Sequence, residues 1–312
     1  MSLQKSGKLK VLITGGAGFI GFSLAKKISD DYDVTLLDFD HRWKSEHKPF
    51  KLYSADISKE TTLQDLDTDY DVVYHLAAQS SGYISLIKPE LDADWNAKGT
   101  LNICNFCRRA GVKKIIYTSS MAIYGEGNSL VETDIPNPIS NYGVTKLAGE
   151  KYIKVFSQYG LKYTIFRLFN SYGPGQDLTN LRQGMASIYL AQTLIGKEIK
   201  VTGSFNRYRD FIFIEDVLSA LMLALEDKTD NQIYNLGTGT PTTVKDLIDL
   251  ILETHDAPKS EFTVTNIGAH DGDQNGNYAN PSKLKALGWK PETSLKQGIK
   301  IFYKATKKIN KI

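Results

Sequence analysis

Tyr142 and Lys146 lie four residues apart in the segment NYGVTKLAGEKY. If this segment is helical, both side chains leave the same face, one turn apart. A tyrosine ordinarily ionises near pH ~10, but a neighbouring ammonium, helped by a second positive charge, favours the phenolate and lowers its pKa. The pair therefore indicates a general base that works near neutral pH. The alternative is a helical tyrosine that packs beside a surface lysine.

Two serines, Ser119 and Ser120, end the apolar run in KKIIYTSSMAIYG. Enzymes built on parallel sheets place active residues where strands end. A hydroxyl at this point can share a proton network with Tyr142, and the pattern favours Ser120 over Ser119 for that role. The alternative is that both hydroxyls only satisfy backbone groups at the end of the strand.

A glycine-rich turn, VLITGGAGFIG, follows the first apolar run, and a helix is expected to begin near Phe19. Glycines let the backbone approach a pyrophosphate, and the helix N-terminus offers free N–H groups and a positive dipole end to the anion. The pattern predicts a dinucleotide site, although a tight strand-to-helix turn without a ligand fits it too.

Asp38 supports the dinucleotide interpretation because it stands 23 residues after Gly15, at the end of the second apolar run. A carboxylate there can bind both ribose hydroxyls and would repel a 2′-phosphate, which favours NAD. Arg42, four residues later, leaves tolerance of NADP open. Asp56, after the third run, fits a contact with adenine and equally fits an ordinary turn residue.

The elements that must position these residues follow a βαβ rhythm. Over the first 170 residues, short runs rich in Val, Ile, Leu and Tyr alternate with amphipathic segments, as strands buried on both faces require. We expect an α/β fold with a Rossmann-type doubly wound parallel sheet at residues 1–168 and a smaller α/β substrate-binding domain at 169–312. Part of 209–236 is expected to return to the first domain.

The composition is that of an ordinary globular protein, with 312 residues of which 41% are hydrophobic and 23% charged, and a net charge of +3. Such a charge gives no field that would attract nucleic acid or a membrane. With no apolar run near the ~20 residues of a membrane helix and no secretory signal, we expect a cytoplasmic protein. Cys104 and Cys107 are expected in the core of a helix, and no metal site is predicted.

Seven motifs occur in order over nearly the whole length of the sequence: TGGAGFIG at 14–21, HLAAQ at 75–79, NAKGT at 96–100, TSSMAIYG at 118–125, YGVTK at 142–146, FRLFNSYGPGQ at 166–176 and RDFIFIEDV at 209–217. With these motifs the sequence resembles the extended short-chain dehydrogenase/reductase family, in particular its NAD-dependent nucleotide-sugar epimerase and dehydratase branch. Within that branch it is most similar to the UDP-glucose 4-epimerase-like members.

The resemblance implies a role for each matching residue. Tyr142 would be the base, Lys146 the ligand of the cofactor ribose and Ser120 the catalytic hydroxyl, with Asn170 and Arg209 at the substrate diphosphate. The remaining cofactor contacts would come from Gly15, Gly18, Phe19, Ile20, Gly21, Asp38, Asp56, Ile57, Leu76, Ala77, Ala78, Asn96 and Phe169.

Two departures from the family pattern narrow the chemistry. Met121 and Ala122 stand where sugar 4,6-dehydratases carry Asp and Glu, so elimination of water is excluded and decarboxylation is disfavoured. His270 stands where relatives usually have a diphosphate-binding arginine. Arg207, Arg182 or a protonated His270 could take its place.

The leading hypothesis is an NAD-dependent C4 epimerisation of a nucleotide-diphosphate sugar through a 4-keto intermediate. A 4-keto sugar reductase or dehydrogenase using NAD or NADP would employ the same three catalytic residues, and a non-catalytic dinucleotide-binding protein is a further alternative. The resemblance also implies a homodimer packed through the helices that carry Cys107 and Tyr142. Nothing in the sequence names the nucleotide or the sugar.

Overall fold

The computed structural model of the chain describes residues 7–268 and 275–310. Its strands are β1 Lys10–Thr14, β2 Asp33–Asp38, β3 Lys51–Ser54, β4 Val72–His75, β5 Lys114–Ser120, β6 Gly127–Leu130, β7 Lys162–Leu168, β8 Asn170–Tyr172, β9 Glu198–Val201, β10 Tyr208–Phe213, β11 Gln232–Leu236, β12 Pro241–Thr243, β13 Thr263–Asn266 and β14 Gly276–Ala279.

The α-helices are α1 Phe19–Ile28, α2 Gly82–Ile87, α3 Pro89–Leu91, α4 Gly99–Ala110, α5 Asn141–Ser157, α6 Met185–Ile195, α7 Ile214–Leu223, α8 Val244–Thr254, α9 Ser282–Lys285 and α10 Leu295–Asn310. A π-helical segment, Asp92–Lys98, joins α3 to α4. Short 3-10 turns lie at Asp40–Arg42, Ser45–His47, Glu60–Leu63, Met121–Ile123, Asp227–Thr229 and Lys259–Glu261.

A large sheet, with seven strands in the described ranges, runs in the order β11-β7-β5-β4-β1-β2-β3, and all its neighbours are parallel. The predicted doubly wound α/β fold is confirmed. The strand order reverses between β1 and β4, and the crevice beyond their carboxyl ends is the usual ligand site of such sheets.

Both faces of this sheet are covered, which explains why its strands do not alternate between apolar and polar residues. Val11 and Ile13 pack in one core layer with residues of α1 and α7, whereas Leu12 packs in the other with residues of α4 and α5. The side chains of Val11, Leu12 and Ile13 are all fully buried.

A smaller sheet runs in the order β12-β10-β14-β6, with β8 paired to β10. Strands β9 and β13 form a separate parallel pair. Of the segment 209–236, β10 lies in this smaller sheet and β11 lies in the large one.

Cys104 and Cys107 are fully buried on α4, as predicted for core residues. Burial raises the pKa of both thiols, that of Cys104 to about 12. In the part of the chain that the structure describes, no group of three or more His, Cys, Asp or Glu side chains could hold a metal ion. None of the helices in the same ranges has both the length and the hydrophobicity needed to cross a bilayer.

Candidate active site

The glycine-rich turn connects β1 to α1 in a space too small for side chains. Gly15 has a φ of +73°, and a Cβ at this position would lie 2.8 Å from the Ala77 backbone nitrogen. A Cβ at Gly21 would collide with the Gly15 carbonyl oxygen. The turn therefore lies directly against the segment after β4, and α1 directs its positive N-terminal end into the crevice.

Asp38 ends β2 beside this turn, and its carboxylate is fixed by the backbone. One oxygen accepts a hydrogen bond from the Ala17 amide at 3.0 Å, and the other accepts one from the Phe39 amide at 2.9 Å. The Arg42 guanidinium lies 3.7 Å from the second oxygen. A carboxylate oxygen can accept more than one hydrogen bond, so Asp38 keeps capacity for ribose hydroxyls.

The predicted adenine-side residues lie where β3 ends. The Asp56 Oδ1 atom accepts hydrogen bonds from the Ser58 amide at 3.0 Å and the Ser58 hydroxyl at 2.8 Å, so Asp56 does form the turn that the alternative interpretation gave it. Ile57 is buried against α4, where a Cβ at Gly99 would lie 2.7 Å from its Cδ1 atom. Contact of either residue with adenine stays a prediction.

Asn96 is buried in the π-helical segment, and both ends of its amide are engaged. Its Oδ1 atom accepts a hydrogen bond from the backbone N–H of Gln79 at 2.8 Å. Its Nδ2 atom donates to the backbone carbonyl of Gln79 at 3.0 Å and to the Asp92 carboxylate at 3.2 Å. The side chain thus fixes the path of the chain just after Leu76, Ala77 and Ala78. Its effect on a cofactor would be exerted through that segment.

Phe169 is also buried, and it packs in a small core with Ile123, Tyr124 and Leu130. It follows β7, at the same edge of the large sheet as the ends of β4 and β5. Its predicted contact with the cofactor stays untested.

Ser120 and Tyr142 come together although they are far apart in sequence. Ser120 ends β5, and its Oγ atom accepts a hydrogen bond from the Ala122 amide at 3.2 Å. Ser140 caps the N-terminus of α5, which places Tyr142 in the first turn of that helix. The Ser120 hydroxyl lies close enough to the Tyr142 phenol to lower the pKa of that phenol. Ser119, by contrast, has a buried Oγ atom with no partner in the described residues.

The chain by itself does not give Tyr142 the lowered pKa that the spacing of Tyr142 and Lys146 suggested. Burial raises the pKa of Tyr142 to about 12, and only the hydrogen bond to Ser120 acts in the opposite direction. Burial also lowers the pKa of Lys146 to about 7, against the attraction of Glu150. Desolvation disfavours both charged forms and dominates here. The remaining lowering influence in the hypothesis is the positive charge of an oxidised nicotinamide.

The predicted diphosphate residues lie on neighbouring strands of the smaller sheet. Asn170 begins β8 and donates a hydrogen bond from Nδ2 to the Asp210 carbonyl at 3.2 Å. Arg209, next to Asp210 on β10, is 9% exposed and donates to the Tyr208 carbonyl at 2.7 Å. Phe211, two residues after Arg209, is the register partner of Asn170, so the two predicted residues lie on adjacent strands a short distance apart.

The substitute for the missing arginine is not assigned. His270 lies outside the described residues. Arg207 is buried and donates from Nε to the Ser204 carbonyl at 3.3 Å, which holds the loop before β10. Arg182 is exposed, with its guanidinium carbon 5.1 Å from the centre of the Tyr83 ring.

Sequence reasoning missed a buried ion pair directly behind the site. Glu150 and Arg167 form two parallel hydrogen bonds of 3.0 Å, and both side chains are less than 5% exposed. Arg167 also donates to the Tyr124 hydroxyl at 2.7 Å. One signal was available for Glu150, since it follows Lys146 by four residues and therefore lies on the same face of α5 as Tyr142 and Lys146.

Comparison with known proteins gives consistent matches over the whole fold. The model of the NAD dependent epimerase/dehydratase family matches residues 11–237. The chain is 38% identical over 306 residues to a putative UDP-glucose 4-epimerase of Methanocaldococcus jannaschii, a match that covers 93% of this chain and 96% of the relative.

Two solved structures are similar in the same way. The UDP-glucose 4-epimerase of Thermotoga maritima with UDP-glucose superposes with a TM-score of 0.89 and 35% identity, covering 97% of this chain and 100% of that one. The UDP-glucose 4-epimerase of Thermus thermophilus in complex with NAD gives a TM-score of 0.86 and 32% identity, with coverage of 95% and 98%.

Proposed function

The chain belongs to the NAD dependent epimerase/dehydratase family, and from this premise we propose that it interconverts the C4 epimers of a nucleotide-diphosphate sugar, with NAD as its cofactor and Tyr142 as the base. The observation that carries the proposal is the proximity of the Ser120 and Tyr142 hydroxyls, with Lys146 one turn further along the same helix.

The residues of the crevice fit NAD. The turn at Gly15 leaves no room for a Cβ, the α1 N-terminus favours an anion, and Asp38 offers acceptors for ribose hydroxyls. Bound NAD would supply a hydride acceptor at C4 and later a hydride donor to the 4-keto sugar.

Within this site Tyr142 takes the proton from the C4 hydroxyl as the C4 hydride departs and the carbonyl forms. Ser120, whose hydroxyl lies next to that of Tyr142, holds the phenol and the substrate hydroxyl in one proton network. Lys146 holds the cofactor ribose. When the hydride returns to the opposite face of C4, Tyr142 gives the proton back, so protons and electrons balance over one cycle.

Inversion requires that the hexose turns while the nucleotide stays bound. Asn170 and Arg209 support this arrangement because they lie on the paired strands β8 and β10, whereas Tyr142 lies on α5. Anchoring the diphosphate there leaves the sugar free to present its other face to the nicotinamide.

The two residues after Ser120 support epimerisation over elimination. Met121 and Ala122 carry no group that exchanges a proton, and the Met121 sulfur lies 3.2 Å from the Asn277 amide nitrogen. The chemistry therefore depends on hydride transfer and on the single acid–base pair of Ser120 and Tyr142.

The first experiment supplies the purified protein, without added cofactor, with UDP-glucose, UDP-N-acetylglucosamine, UDP-glucuronate and their GDP and dTDP counterparts, and follows C4 epimers by NMR. Conversion of any one of them supports the proposal and identifies the sugar and the nucleotide. Turnover only after addition of NADH or NADPH and a 4-keto sugar would replace the epimerase with a reductase.

Cofactor choice is expected to depend on Asp38. Asp38→Ser removes an acceptor for the ribose hydroxyls, and we expect the affinity for NAD to fall about 10- to 100-fold, as the loss of a charged hydrogen bond does. The affinity for NADP should fall less or rise, since Arg42 lies nearby. Isothermal titration with both nucleotides measures the ratio. Asp40→Ser, at an exposed neighbouring position, is the matched control, and an unchanged NAD-to-NADP ratio in Asp38→Ser would contradict the assignment.

A homodimer is proposed through the outer face of α5. Val144, Val155 and Tyr159 are 51%, 48% and 65% exposed, and their spacing places them along one stripe with Ala148 and Tyr152. A second copy of the chain, laid on this stripe and on the adjacent α4, would cover these apolar side chains.

Val155→Glu is expected to convert this dimer into a monomer, because it would bury a charge at the interface. Light scattering after gel filtration measures the mass. The control is Ile301→Glu. Ile301 is exposed to a similar extent as Val155, and it lies on α10, which contacts β10 of the smaller sheet. If both variants keep the mass of the unaltered protein, the α5 stripe is not the interface.

A further inference from the structure

Two buried side chains, Tyr117 and His75, stack beside Lys146, and the mechanism above does not use them. The Lys146 Nζ atom lies 4.2 Å from the centre of the Tyr117 ring, over its face. The His75 ring stacks on Tyr117 with 5.4 Å between ring centres and 22° between ring planes. Tyr117 and His75 are fully buried, and Lys146 is 2% exposed.

Tyr117 is wedged against the helix that carries the proposed catalytic pair. Its hydroxyl donates a hydrogen bond to the Lys146 carbonyl at 3.5 Å. A Cβ at Gly149 would lie 2.5 Å from that hydroxyl, so the absence of a side chain there makes room for the ring. The position of the ring relative to α5 is therefore determined by contacts at Lys146 and at Gly149.

The hydrogen bonds of Thr100 and Thr14 determine the tautomer of His75. The Thr100 hydroxyl donates its one hydrogen to the Asn96 carbonyl at 2.5 Å, so it can only accept from His75 Nε2, which lies 2.9 Å away. His75 Nδ1 then accepts from the Thr14 hydroxyl at 2.8 Å. A protonated His75 would lose the hydrogen bond from Thr14 and would add a second cation next to Lys146.

The ionisable side chains around Lys146 come from several elements, and their effects can be separated. They are Tyr142 and Glu150 on α5, Tyr117 on β5, His75 on β4 and, beyond Tyr142, Asp92 in the π-helical segment. Glu150 attracts the ammonium, but it is shared with Arg167. Burial, together with the charge of Lys146, lowers the pKa of His75 to about 3, so His75 stays neutral.

We propose that Tyr117 is a positioning residue for Lys146: the face of its ring holds the ammonium in its charged form at the cofactor ribose, and neutral His75 fixes the ring from behind. A cation over an aromatic face is stabilised electrostatically, and more strongly where water is excluded. The inference rests on the proposed role of Lys146, but its central test measures the ionisation of Lys146 directly.

The test compares Tyr117→Phe with Tyr117→pentafluorophenylalanine in the NAD-loaded full chain. The two side chains have nearly the same shape, but fluorination removes the negative face of the ring. The ¹³Cε resonance of Lys146, identified as the one that Lys146→Met removes, is followed against pH by NMR. We expect the titration midpoint to move down by about one pH unit in the fluorinated variant relative to Tyr117→Phe.

Equal midpoints in the two variants would overturn the proposal, since the ring would then only fill space. A long-range ¹⁵N spectrum of His75 gives a second check, because the Nδ1–H tautomer or a protonated ring at neutral pH would contradict the assigned network. If the protein is an epimerase, the alkaline limb of its pH–rate profile should move with the Lys146 midpoint. If no substrate is turned over, the Lys146 titration midpoints still show whether the Tyr117 ring stabilises the ammonium.

Discussion

Tyr142→Phe is expected to lower the rate of C4 epimerisation by about 1,000-fold while NAD stays bound. The substitution keeps the ring on α5 and removes only the hydroxyl that lies beside Ser120. Without it, no side chain in the proposed mechanism can take the C4 proton. NMR measures the rate, and the absorbance of the bound cofactor after denaturation measures its content.

Tyr159→Phe is the matched control, because Tyr159 is 65% exposed just beyond the same helix and its hydroxyl is far from Ser120 in the fold. It should turn over at the unaltered rate. A Tyr142→Phe protein that kept more than about one tenth of the activity would assign the proton to another group, since general-base catalysis contributes at least about 100-fold.

Glu150→Ala is expected to give the largest loss of stability, about 3 to 5 kcal/mol, because it leaves the Arg167 guanidinium buried without its carboxylate. Both side chains are less than 5% exposed, and the pair makes two hydrogen bonds of 3.0 Å. The urea concentration at half unfolding measures the loss. Since Glu150 also attracts the Lys146 ammonium, the variant should deprotonate Lys146 at a lower pH.

The control is Asp249→Ala, which breaks the ion pair with Lys245 on the surface of α8. Exposed pairs contribute less than about 1 kcal/mol. If Glu150→Ala were no less stable than this control, water would have to reach Arg167 in the folded protein, and the buried pair would not hold α5 against β7.

The order of strands and helices could be predicted because it depends on local patterns. Runs of Val, Ile and Leu without alternation require strands covered on both sides. The family motifs gave the ends of β1 and β5, and the position of Asp38 after Gly15 gave the end of β2. The proximity of Ser120 and Tyr142 could also be predicted, because Ser120 ends a strand and Tyr142 lies in the first turn of the helix that covers it.

The electrostatics of the site could not be predicted in this way. The spacing of Tyr142 and Lys146 shows that they share a helix face, but not that burial raises one pKa and lowers the other. The stack of His75 on Tyr117 joins two strands, and such contacts depend on the packing of the sheet. The π-helical turn that carries Asn96 departs from regular geometry without a sequence pattern that announces it.

The place of β11 in the large sheet limits how this protein can be recombined. The chain leaves the sheet after β7, forms β8, β9 and β10, and returns to pair β11 with β7, from Gln232 beside Thr164 to Leu236 beside Leu168. Residues 169–231 thus connect two adjacent strands, and they include α7, which packs on the large sheet. A chimera that borrows this segment from a relative needs two splice points, and a chain cut at residue 168 would expose the edge of β7 to pairing with other molecules.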